Sequence, residues 1–512
     1  MGDSDIEIMK EANDESYDVV EIISEVDQKL CDNVVICIEE KLERLPHVNA
    51  NCKSIYQVPK GLREMNDKAY TPQFISIGPF HYGTRTNLIA NEHYKVQGFF
   101  NFLRRLNNKY KIQSLEDSGH VKITTSLLKV LVEKACCSVK EAHNCYAEPI
   151  NMKEEEFFTM MLVDACFIVE FLILWVCENL LQRRGKFFQI QDNVDFSFYH
   201  GIEFDILIDL IKLENQVPFI LLQNLFDLIP KLDDDPMISS LIRLTDIALK
   251  GFGLVSRYEI DDLYYKEPKH LLDFLSFYFL PLPPDDMQNK QDEIKNIEKK
   301  NNDFRKLLSC LWNKKPDHEK NSYQQWRLSP PSTTELCEAG ITIKVADNEN
   351  LCLTNISFKN GVLEIPPIII ESTFEIVVRN LIAFDHYPAG NQKQYVIQYV
   401  LFLDDLISTE EDVHLLVKAG VIINTFGGSD KEISDMFNNF SKFAIFPVTS
   451  HFDDMSQALR VHCNGRWNKA KASLKRNYFN TPWAVISFIA ATFLILLTLL
   501  QTIFSAISAF PS

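Results

Sequence analysis

The chain has 512 residues, 46% of them apolar, with 70 acidic and 52 basic residues and a formal net charge of −18. That apolar share suffices for real cores and excludes a wholly disordered chain, while the length allows two or three domains. The charge is uneven, with 14 Asp/Glu against 4 Lys/Arg in residues 1–45, and an acidic front argues against nucleic acid as a partner.

Residues 1–17 read as a disordered acidic lead with no basic and apolar leader pattern, so no signal peptide is expected. Ile6 stands where a myristoylation signal needs Ser or Thr. From Val19 the run "VVEIISEVDQKLCDNVVICIEEKLERL" has helical spacing with acids on its open face. Residues 56–83, "YQVPKGLREMNDKAYTPQFISIGPFHYG", change character: Pro59, Pro72, Pro79, Gly61, Gly78 and Gly83 wind the backbone among aromatic side chains. Pro79 and His81 could line a pocket there, although a rigid aromatic turn is the commoner use of such residues.

Helical patterns dominate from about residue 91 to 228. "FFTMMLVDACFIVEFLILWVC", residues 157–177, is long enough to span a bilayer. Asp164 and Glu170 would each cost about 3 kcal/mol near the bilayer centre, which favours a core helix instead. Six positions put these acids about 240° apart on a helix, facing different neighbours, so they form no carboxylate dyad. Each is expected to bond to backbone or to pair with an Arg. In "DLIKLENQVPFILLQNLF", Glu214, Asn215 and Gln216 precede Pro218, which breaks a helix by lacking an N–H and restricting Val217. The polar trio either satisfies the freed backbone or presents itself to a ligand.

Residues 281–333 form a polar, Pro-bounded exposed insertion. Period-two alternation in "GITIKVADNENLCLTNISFKNGVLEIPPIII", within residues 340–372, predicts a small antiparallel sheet turning at Asp-Asn and Asn-Gly. Helices resume at Thr373. The fold class is therefore mainly α with that small sheet, as one large helical domain over 18–460 followed by a C-terminal transmembrane helix.

The foot, residues 461–482, carries Arg466, Lys469, Lys471, Lys475 and Arg476, with no carboxylate after Asp454. From Trp483 to Phe510 there is no charged residue. As a helix this stretch would be roughly 42 Å long, more than the ~30 Å hydrocarbon core of a bilayer. Trp483, Phe488, Phe493, Leu497 and Phe504 are its expected anchoring residues. By the positive-inside tendency the cations favour a body on the cytosolic side, which predicts a tail-anchored, single-pass protein of the plasma membrane or an endomembrane; a body on the outer side is the alternative topology. No G-x-x-x-G appears in the span, so the oligomeric state stays open.

The 12 cysteines include no C-x-x-C pair, which argues against a zinc framework and for reduced thiols in a cytosolic body. There is no G-x-S-x-G elbow, P-loop, H-E-x-x-H or kinase signature. No catalytic residue, metal ligand or cofactor is therefore assigned, and the chain is read as not an enzyme.

Several ordered stretches resemble one family: "IYQVPKGLREMNDKAYTPQFISIGPFHYG", "FFTMMLVDACFIVEFL", "DLIKLENQVPFILL", "STTELCEAGITIK", "ISFKNGVLEIPPIIIESTFEIVVRNLIAFD", "EDVHLLVKAGVIINTFG" and "NYFNTPWAVISFIAATFLILLTLLQT". They are similar to the plant-specific DUF247 proteins, also labelled UPF0481. Ala165 stands where that family usually has Gly, and Asp385-His386 where it commonly has Glu-Gln. The resemblance implies a mostly helical protein with a C-terminal membrane helix, no established catalytic residues, and a theme of recognition or signalling that includes reproductive recognition and development. Two functions follow as expectations. The first is a membrane-tethered recognition or signalling protein acting through an unknown protein partner. The second is a hydrolase using Asp164, Glu170 or Glu214, favoured if two carboxylates share a cleft at about 5–10 Å and disfavoured if each sits in its own salt bridge.

Overall fold

The computed structural model describes residues 32–39, 53–110, 125–181, 199–230, 240–252, 267–280, 328–346, 352–387, 394–442, 447, 449–465 and 482–508. The expected acidic lead, residues 281–327 of the insertion, and the cations Arg466 to Arg476 lie outside them. By its contacts the chain divides into Met1–Cys52 and Lys53–Ser512. In the first unit the described residues are a helix over 32–39 that exposes Val34, Val35, Ile36 and Ile38.

The second unit is built around the helix Glu154–Val176. Three glutamates open its first turn, where the helix dipole favours negative charge. Beyond them the helix is apolar apart from Thr159, Asp164 and Glu170, and nearly all of its surface is covered, as such a helix in water requires. Helices Glu92–Tyr110, Thr125–His143, Phe219–Phe226 and Leu241–Leu249 all pack on it. Each fully buried Leu, Ile or Phe along it contributes about 1.5–3 kcal/mol. The helix is long and apolar enough to cross a bilayer, with a mean hydropathy of 2.3, but 89% of its most apolar window is buried in protein. Gly98 sets the approach of helix Glu92–Tyr110: a Cβ there would lie 2.7 Å from the Phe167 ring.

Helix Glu203–Leu210 stops before the polar trio, and Pro218 opens the next helix, Phe219–Phe226, with φ −57°. The break falls where proline geometry predicts it.

The expected small sheet is present, but only one of its pairings is antiparallel. Strands β1 (Thr342–Val345), β2 (Ser357–Lys359) and β3 (Val362–Ile365) lie in the order β1-β3-β2. β2 and β3 form an antiparallel hairpin across Asn360-Gly361, both at positive φ, whereas β1 runs parallel to β3. Pro366 and Pro367 offer no N–H and end the ladder. The chain then enters β4 (Ile368–Ile370), which pairs in parallel with β5 (Ile422–Asn424) as a separate two-stranded sheet. The apolar run read as one strand end is thus split between two sheets.

Helices Phe374–Asp385, Tyr395–Leu406, Glu410–Lys418, Asp430–Phe440 and Asp453–Asn464 complete the body. Two of them start with capping boxes, Thr409 with Asp412 and Ser429 with Glu432. The described cysteines are all free thiols. The last helix, Pro482–Ser508, has 27 residues and no charged side chain at either end. Its described large apolar side chains from Ile486 to Phe504 are 50–67% exposed, among them Phe493, Leu497 and Phe504.

Candidate functional site

Residues 71–78, "TPQFISIG", have no regular secondary structure and are buried apart from the exposed Gln73 and half-buried Phe74. Buried backbone must find partners, and here side chains from other elements supply them. Asp209 accepts the N–H groups of Gln73, Phe74 and Ile75 at 3.0, 2.6 and 2.9 Å. Asn215 Oδ1 accepts Ile77 N–H at 2.6 Å, and Asp164 Oδ2 accepts Gly78 N–H at 2.8 Å. In the other direction Lys212 donates to the Thr71 carbonyl, Asn215 to Ile75 and Lys95 to Ser76. The segment is held as an enclosed ligand would be.

Gly78 is required by this clasp. Its φ is +69°, and a Cβ would lie 2.8 Å from the Gln216 carbonyl oxygen and 2.9 Å from the Tyr146 hydroxyl. The stretch around Pro79 is therefore packed rather than open at Gly78.

Asp164 sits 2.7 Å from Lys95 Nζ, with both side chains buried. Burial pushes its carboxyl up, while Lys95 and the Gly78 amide pull the other way. Glu170 takes a two-pronged bond from Arg105, with Nε at 2.7 Å and Nη2 at 3.0 Å. The two acids face different neighbours, Lys95 and Arg105, and both cations belong to one helix, Glu92–Tyr110.

The polar trio divides its work. Gln216 donates to the Leu210 and Lys212 carbonyls and accepts from Leu272 N–H, and Asn215 also donates to the Asp209 carbonyl. Both therefore serve backbone freed at the break. Glu214 differs: Oε1 accepts Val58 N–H at 2.7 Å and pairs with Arg63, and Oε2 meets His81 Nε2 at 2.8 Å. Burial alone would raise the Glu214 carboxyl, but His81, Arg63 and the Val58 amide outweigh it and hold it below the usual range. Arg63 also reaches the half-exposed Asp67 at 2.8 Å, so this end of the network opens toward solvent.

A histidine held on a carboxylate is half of a proton relay. Among the described residues, however, no hydroxyl or thiol bonds to the His81 ring, and no group of His, Cys, Asp and Glu is placed to hold a metal ion. Asp164, Glu170 and Glu214 each take their own cationic partners. Sequence reasoning missed Asp209, Lys212, Lys95 and Arg105. The 209/212 spacing, one helical turn, was a visible signal that reads equally well as a solvated ion pair.

The DUF247 family model, described as a plant protein of unknown function, matches residues 55–497. Two proteins of Arabidopsis thaliana are similar over most of their length. A putative UPF0481 protein is 25% identical, over 89% of this chain and 91% of its own. A second UPF0481 protein is 26% identical, over 89% of this chain and 86% of its own. No solved structure matches the chain.

Proposed function

The chain belongs to the DUF247 family of plant proteins, and from that premise we propose that it is a membrane-tethered, non-catalytic recognition protein that works by docking a protein partner. The observation that carries the reading is the exposed helix Pro482–Ser508. Its 27 residues give roughly 40 Å of length, ample for a tilted span. In water its exposed Ile, Leu and Phe side chains would form an apolar surface far larger than a soluble protein leaves uncovered. Its hydroxyls suit hydrocarbon: Thr498 donates to the Leu494 carbonyl and Thr502 to that of Thr498. The cations at 466–476, with no carboxylate after Asp454, favour a cytosolic body.

The separate ion pairs of Asp164, Glu170 and Glu214 give the hydrolase reading no support. The test is fractionation of cells expressing the N-terminally tagged chain, with protease treatment of sealed microsomes and a version stopped after Arg476. Carbonate-resistant pelleting, a protease-sensitive tag and release of the shortened chain are expected. A full-length chain that stays in the supernatant would sink the tether, and a protected tag would reverse the orientation.

A further inference from the structure

Three short segments meet near the outer end of the clasp, and they leave one another incomplete. Residues 53–57 and 145–148 run side by side: Ser54 and Ile55 N–H groups reach the Cys145 carbonyl at 2.9 and 3.0 Å, and Ala147 N–H reaches Ile55 at 2.9 Å. Gln57 N–H extends the pairing to Glu148 Oε1 at 3.0 Å. The third segment follows helix Phe374–Asp385. There the Tyr387 ring stacks on Tyr56, with centroids 4.5 Å apart and planes at 14°, and its hydroxyl donates to the Gln57 carbonyl at 3.4 Å. Both rings are half-buried.

Two polar atoms at this junction are buried with no hydrogen-bond partner among the described residues: Glu148 Oε2 and His386 Nδ1. Glu148 is close enough that its charge, after burial, is the next cause pushing the Tyr56 and Tyr387 phenols up. The His386 ring stands 5.4 Å from Tyr387, edge to face, and burial holds it neutral near pH 7. Two cations among the described residues are engaged elsewhere. Lys53 donates to the Ala147 carbonyl, and Arg63 pairs with Glu214 and Asp67.

A carboxylate oxygen close to two phenol groups, with no donor among the described residues, asks for a group that is cationic, planar and rich in N–H. A quaternary ammonium cannot donate, and a primary ammonium is a strongly hydrated point charge; a guanidinium stacks on tyrosine and forks onto carboxylate. We propose that Tyr56, Glu148, His386 and Tyr387 form a binding site for a guanidinium group, supplied by an arginine side chain of a protein partner. Glu148 Oε2 takes one N–H, His386 Nδ1 in its Nε2–H tautomer offers a second acceptor, and a tyrosine face takes the plane. Because Oε2 is sealed from water, entry requires one of the half-buried tyrosines to swing aside. This rests on the reading of the protein as a docking module and names the chemistry of the partner.

The test is saturation-transfer NMR of N-acetyl-L-argininamide against the full chain in deuterated detergent, with the citrulline analogue as a neutral probe of the same shape and the lysine analogue as a non-planar cation. Saturable arginine signal is expected, with affinity at least about fivefold weaker for citrulline, for lysine, and for the arginine probe on Glu148→Gln. Glu148→Gln keeps an acceptor for Gln57 N–H, and Tyr387→Phe keeps the stack and should still bind. Equal signal from citrulline, or none from arginine, overturns the site on the unaltered chain without relying on any variant. A failed tether appears only in the fractionation, so the two readings fail separately.

Discussion

The body's central helix, Glu154–Val176, and the terminal helix, Pro482–Ser508, are nearly alike in length and apolar content, yet one is buried and the other exposed. Beyond its first turn, the central helix differs by two buried acids. Asp164 and Glu170 tie the central helix to Lys95 and Arg105 of its neighbour, while no residue of the terminal helix carries charge. Hydropathy alone does not separate a core helix from a span. On the proposed tether, what separates them is whether an acid on the apolar surface has a cation waiting in the same protein.

The comparison breaks most violently if acids are put on the terminal helix. Leu494→Asp with Leu497→Asp adds about 3 kcal/mol per acid to insertion at the bilayer centre, and the chain is expected to leave the membrane pellet. The reverse experiment strips the central helix of a cation. Arg105→Leu leaves Glu170 buried and unpaired, and should cost about 3–5 kcal/mol of stability, read as a lower urea midpoint. The double change with Glu170→Leu should recover most of that loss. If the single and double variants are equally unstable, the pair is not what holds the acid.

A smaller effect tests the contact between the two neighbouring helices. Gly98→Ala forces a methyl toward the Phe167 ring, for an expected loss of about 1–3 kcal/mol. No loss in thermal denaturation would show that the helices can separate without penalty. The last effect, read as a pH dependence, concerns an acid with no cationic partner among the described residues. Asp385 accepts Ile397 N–H at 3.0 Å, and burial, only partly offset by the Ile397 and Val396 amides, pushes its carboxyl up to about 7. The folded form then binds the proton more tightly than the unfolded chain does, so stability should fall as pH rises from about 4 through about 7 and level off above. Asp385→Asn should flatten that slope; an unchanged slope would assign it to another group.

Local rules made much of this legible from sequence. The core helix, the break at Pro218 and the hairpin at Asn360-Gly361 each follow from a residue's own backbone or burial cost. What stayed hidden are pairings between distant residues. Nothing in the period of residues 92–110 announces that Lys95 and Arg105 point inward at acids 69 and 65 positions away. The parallel pairing of β1 with β3 is one that alternation cannot express, and Pro366 and Pro367 divide the apolar run that follows between two sheets. In the candidate site, His81 and Glu214 were singled out separately, and their contact needed the fold to bring them together.

The clasp on residues 71–78 also sets a clock. Gln73 meets its carboxylate only when Asp209, 136 positions later, has been made. At about 5–20 residues per second that delay is roughly 7–27 s. During that interval the nascent segment, unable to form its native bonds, is open to water and to any chaperone that samples it near the ribosome.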